Sequence, residues 1–150
     1  MMMANVYALL CILLALIVMC MVSQVCRRRK LFHYQVICLF DLIDEIEKQA
    51  ILFHCHATFE LSNNLLLLNK LAELECNLAS IFNVDYFSKN LFSLRNAITD
   101  HNFDQANFEP QELYCEINHQ IVFACRDLCD LLSQFIHVPH AHSSAPILYQ

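Results

Sequence analysis

The pattern of apolar and polar positions divides the chain early. Seventeen apolar residues, Val6 to Val22, run without a charge, and Arg27, Arg28, Arg29 and Lys30 follow almost at once. At ~1.5 Å per helical residue the run spans roughly 25 Å. Adding Met1–Ala4 and Val25–Cys26 brings it to about the 30 Å of a hydrocarbon core. Cytoplasmic flanks collect Lys and Arg, so the four cations predict an outside amino terminus and a single crossing, with the remainder in the cytoplasm. A cleaved signal peptide has its cations before the apolar core and a small-residue cleavage site after it. Here the cations come after, and Val22-Ser23-Gln24-Val25-Cys26 has no such site.

Beyond the cations the period changes to that of amphipathic helices. Leu31, Val36, Leu39, Leu42, Ile43, Ile46, Ala50, Ile51 and Phe53 recur mostly at steps of three and four, so the anchor is expected to continue as helix. Asp41, Asp44, Glu45, Glu47 and Lys48 take much of the opposite face, with Asp44 and Lys48 four residues apart. A second helix is expected from the cap residues Ser62-Asn63-Asn64 to Phe82, with Leu68, Leu71, Leu74, Leu78 and Ile81 as its stripe and Asn83 as its left-handed stop. Asp85 is expected to cap a third helix, Tyr86 to Thr99, built on Phe87, Leu91, Leu94 and Ile98. Residues 100–108 lack periodicity and read as a loop. Pro110, between Glu109 and Glu112, suits the first turn of a fourth helix. Its stripe is Leu113, Ile117, Ile121, Cys125, Leu128, Leu132 and Ile136, and Pro139 ends it. The expected fold is all-α: a transmembrane helix over 1–26, an antiparallel bundle of long helices over 27–138, and a flexible tail over 139–150.

Charge and composition narrow the function. Residues 1–30 carry four cations and no acid, while residues 31–150 set five cations against fifteen carboxylates, a net of −10 with His neutral. An acidic domain does not hold nucleic acid by neutralising phosphates. The chain has no glycine, where an average chain of this length has roughly ten. Phosphate-cradling loops, dinucleotide fingerprints and nucleophile elbows all require glycine, so those enzyme classes are excluded. With three prolines and no glycine, a turn-rich β-fold is disfavoured as well.

The nine cysteines are odd in number and expected in a reducing compartment, which argues against a disulfide scaffold. Cys26 stands at the membrane border, where acylation rests on position alone. Cys125 and Cys129, four residues apart, form one possible soft-metal clasp, with Cys115 ten residues upstream; their place on an apolar stripe reads better as packing. Glu116 and His119 match half of the paired Glu-x-x-His motif of di-iron bundles, and no second half-site occurs. His54-Cys55-His56, with His33 and Cys38 nearby, cannot converge on one ion while helical, and are expected as two exposed His flanking a buried Cys. His137, His140 and His142 make a loose His-rich tract.

The fourth helix resembles the LemA family of bacterial membrane proteins. That family carries a helix patterned E-x-x-I-x-x-A-R-x-x-Y-N, closed by Phe-Pro. The matching residues are His119, Val122, Cys125-Arg126 and Cys129-Asp130, with Val138-Pro139 as the stop. Arg126 and Pro139 are identical to the pattern, Val122, Cys125 and Asp130 are conservative, and His119 and Cys129 depart from it. Ile43-Asp44 followed by Lys48 echoes an early I-D pair of the family. The order of parts is similar throughout, with specific matches over about twenty residues. The resemblance implies a bacterial inner-membrane protein with a long-helix bundle, and it supplies no catalytic chemistry. The expected function is therefore a single-pass interaction or scaffold protein, non-catalytic and without cofactor. Its partners are the bilayer and either another protein or further copies of itself. A metal-binding or redox protein is the alternative.

Overall fold

The structure, a computed structural model, describes residues 2–100 and 103–137. They form four α-helices: α1 (Met2–Cys55), α2 (Leu61–Ile81), α3 (Ser88–Thr99) and α4 (Glu116–His137). Two 3-10 turns, Val84–Tyr86 and Gln105–Asn107, complete the regular structure, and no strand occurs among the described residues. The chain divides into two units, residues 1–35 and 36–150.

The first unit is helix alone. Every residue from 10 to 30 is exposed. Successive helical residues point 100° apart, so this apolar surface closes around the whole circumference rather than forming a stripe. The helix is long and apolar enough to cross a membrane, and none of its most apolar window is buried.

The second unit is a bundle. Along residues 36–55 of α1, Val36, Leu39, Leu42, Ile43, Ile46, Ala50 and Phe53 are buried, while Asp41, Asp44, Glu45 and Lys48 are exposed. Cross-helix contacts give the direction of each helix. Phe53, at the end of α1, packs on Phe59 just before α2, and His54 beside it reaches the Ile98 carbonyl near the end of α3, so α2 returns along α1 and α3 returns along α2. Lys70 Nζ pairs with Glu45 at 2.8 Å and Arg95 with Glu75 at 3.0 Å. Phe135, near the end of α4, packs on Phe82 and Phe87 with ring centroids 5.0 and 5.6 Å apart. Asn118, near the start of α4, reaches Cys55 at the end of α1. The four helices thus alternate in direction around one core, to which each contributes. Leu74, Leu94 and Leu128 are among its fully buried members.

The local geometry corrects several expectations. The stripe of α2 runs through Leu67, 1 % exposed, and not Leu68, at 36 %. α2 starts at Leu61 after an extended Glu60 whose side chain makes no cap; Asn64 lies inside the helix, buried, donating to the Phe103 carbonyl at 3.3 Å. Asn83 is extended, at φ −71°, and its side chain accepts from the Asp85 amide. The third helix starts at Ser88, after the 3-10 turn that carries Asp85. Pro110 precedes α4 by a full connecting stretch. The Gln111 amide is held there by the His54 carbonyl at 2.8 Å, which keeps the segment from joining the helix. Leu31 and Leu113 are exposed rather than part of a buried stripe.

Candidate functional site

Three places in the bundle bring chemistry-bearing or apolar groups together. The first is the solvent face of α2. Its core side is Leu67, Leu71, Leu74 and Leu78. Well round the helix from these, Leu61, Leu65, Leu68, Ala72 and Ala79 follow one another at steps of four, three, four and seven, and all are exposed. Leu61 is 63 % and Leu65 52 % exposed. This is the period of a coiled-coil seam, with leucine giving way to alanine toward the end of the helix. Cys76 is exposed beside it. Covering what remains open on each leucine is worth on the order of 1 kcal/mol.

The second place is an open groove of about 750 Å³ between α3 and α4. Lys89 and Phe92 line it from α3, Asp100 from just beyond its end, and Glu116, His119 and Phe123 from α4. Phe92 and Phe123 are each 66 % exposed. Glu116 and His119 therefore face outward into this groove, whereas a di-iron half-site would face the bundle interior. Glu116 holds Gln120 through a side-chain bond of 3.2 Å. Among the described residues, no three His, Cys, Asp or Glu groups converge as a metal site.

The third place is the end of α1, where the chain pins its own long connection. His54 is fully buried, and its Nε2–H donates to the Ile98 carbonyl at 3.1 Å. Its Nδ1 has no partner among the described residues. Burial pushes the imidazole below its ordinary value, opposed only by the Ile98 bond. Phe53 meets Phe59, Phe103 and Phe108, with ring centroids 5.8, 5.2 and 5.5 Å away. Asn118 Nδ2 donates to Glu112 and Leu113 carbonyls at 3.1 and 3.2 Å and lies 3.3 Å from Cys55 Sγ. Of the two histidines of the His-Cys-His run expected to be exposed, His54 is thus core. Cys55 is half-buried, and His56 is exposed and lies 3.8 Å from Glu60. A buried imidazole with one carbonyl partner is a structural brace here rather than a ligand.

The remaining sequence candidates separate. Cys125 is buried in the core, and Cys129 is half-buried on the same side of α4. Burial, then the negative charge of Glu47, pushes the Cys125 thiol far up and that of Cys129 to about 11. Thiols held protonated are poor metal ligands and poor nucleophiles. Burial and Asp44 raise the Glu47 carboxyl in turn, against the opposing charges of Arg126 and Lys48. Cys115 is half-buried. Arg126 and Asp130, the motif residues of the fourth helix, are exposed on α4. Pro139, His140 and His142 lie outside the described residues. Arg27, Arg28, Arg29 and Lys30 occupy consecutive exposed positions of α1.

The seam, the two groove phenylalanines and Asn118 were not singled out by the sequence, which marks His54 only as an exposed member of a His-Cys-His run. Leu65-Leu66-Leu67-Leu68 signalled the seam only as excess: four leucines in one turn cannot all face one core. Comparison of the chain with protein-family models, curated proteins and solved structures finds no match.

Proposed function

We propose that the protein is a single-pass membrane-tethered scaffold without catalysis, whose bundle binds another helix along the exposed seam of α2. The occupant is a helix of a partner protein or of a second copy. In this reading the amino terminus is outside and the bundle is cytoplasmic, as the Arg27–Lys30 flank favours. A place among LemA-type bacterial membrane proteins belongs to the same proposal, supported by the order of span, basic junction and helices. The observation that carries it is the contrast on one helix: Leu67, Leu71, Leu74 and Leu78 are fully packed, while Leu61, Leu65 and Leu68 stay open at seam spacing. A helix of a monomeric soluble domain ordinarily shows charge there.

Cys76 reports on the occupant. The full chain is treated with a polar maleimide in the membranes of cells that produce it, and again after purification into lipid at high dilution. The proposal expects Cys76 to react at least about tenfold more slowly in the native membrane. It expects L65S combined with L68S to restore the fast rate. Equal rates in the two settings would overturn it.

A further inference from the structure

The four cations at positions 27–30 form a ring. They are consecutive in α1, so their side chains leave the axis 100° apart and encircle it in just over one turn. All four are exposed, and none takes part in an ion pair among the described residues. Their unit, residues 1–35, contains no Asp or Glu at all; the first carboxylate in the sequence is Asp41. Every residue from 10 to 26 on the amino-terminal side is exposed too, with large apolar side chains pointing in all directions. A ring is a poor match for the face of one partner helix, which would meet at most two of the four. It suits a medium that surrounds the helix and presents phosphate at the edge of an apolar layer.

We propose that Arg27, Arg28, Arg29 and Lys30 form a headgroup-binding collar that gathers anionic phospholipids around the helix. This rests on the membrane reading above and adds a lipid preference to it. Arginine supplies planar, multiply donating groups that pair with phosphate oxygens, and three of the four positions are arginine. Each cation near an anionic surface contributes roughly a fivefold preference at physiological ionic strength. The collar sets its own neighbourhood in the bilayer: acidic lipid is enriched there, and salt weakens the enrichment.

The test is electron paramagnetic resonance of the full chain in phosphatidylcholine vesicles carrying trace spin-labelled lipid. Spin-labelled phosphatidylglycerol is compared with spin-labelled phosphatidylcholine for the fraction immobilised at the protein surface. The collar predicts a preference of at least about fivefold for phosphatidylglycerol, diminished by high salt. It predicts a ratio near one when all four cations are changed to glutamine. Equal immobilisation of the two lipids in the unaltered chain overturns the collar while leaving the span intact. No immobilised lipid of either kind overturns the membrane reading itself. Added inorganic phosphate, at matched ionic strength, is expected to leave the ratio unchanged; loss of the preference would reassign the cations to free phosphate and overturn the lipid assignment.

Discussion

Residues 10–26 and residues 36–55 are two stretches of one helix, and each is rich in apolar side chains, yet they solve opposite problems. In the first, every side chain is exposed around the full circumference. In the second, most apolar residues lie on one buried stripe, with Ile37 and Leu52 outside it, and the charges stand on the other side. The first surface is stable where the solvent is hydrocarbon on all sides, and the second where a core lies on one side and water on the other. Apolar content alone does not separate them. The angular distribution does, and it is set by where Asp41, Asp44, Glu45 and Lys48 fall.

The comparison breaks most visibly when a charge is placed at the wrong point of each stretch. I46D buries a carboxylate in the core and is expected to cost more than about 4 kcal/mol, abolishing the cooperative unfolding transition of the bundle. The chain should still sediment with membranes. I17D is expected to act the other way, opposing insertion by roughly 3 kcal/mol while the detergent-solubilised bundle keeps its transition. A smaller effect sharpens the contrast within α2. L74A removes a fully buried side chain and should cost about 2–5 kcal/mol in urea unfolding, whereas L65A on the seam should stay within about 0.5 kcal/mol when no partner is present.

The pH dependence is gentler. Burial holds the His54 imidazole below its ordinary 6.5, so the unfolded chain takes up a proton before the folded one does. Its contribution is fully present above about pH 6.5 and is lost as the pH falls toward the folded value. Urea midpoints measured between pH 7 and pH 5 should therefore fall, and H54Q should flatten that part of the slope. E75Q, which breaks a half-exposed pair with Arg95, is also expected to have a small effect, less than about 1 kcal/mol in urea unfolding.

Much of this architecture is legible in the residues. The long apolar helix and its basic flank need only length and charge. The stripes of α1, α3 and α4 follow from spacing, because at Leu39, Ile46, Leu91, Leu94, Ile121 and Leu128 one periodic choice is clearly better than its neighbours. In α2 the four leucines 65–68 make the phase ambiguous. It is settled by long-range packing: Leu67, Leu71, Leu74 and Leu78 enter the core shared with the other helices, and Leu65, Leu66 and Leu68 are left outside it. At Asn83 a second local preference won, its side chain capping the Asp85 amide from an extended backbone. At Pro110 a long-range partner overrode a correct local preference, since the His54 carbonyl holds the residue after it. His54 was illegible for the same reason. Its partner, the Ile98 carbonyl, lies 44 residues away. The surfaces left open, the α2 seam and the groove at Phe92 and Phe123, appear only once the core has taken its share.

The chain's own cysteines give the most direct test of the contrast between the two stretches. Cys11 and Cys20 are exposed on the apolar cylinder, Cys76 is exposed on the bundle, and Cys125 is buried in its core. The full chain, held in lipid nanodiscs so that both faces are open, is treated with a polar maleimide and each site is read by mass spectrometry, without and with urea. Cys76 is expected to react quickly in both conditions. Cys125 should react only in urea, and Cys11 and Cys20 in neither, because lipid and not packing protects them. Labelling of Cys11 and Cys20 at the rate of Cys76 in intact nanodiscs would contradict the account, since the apolar cylinder would then stand in water.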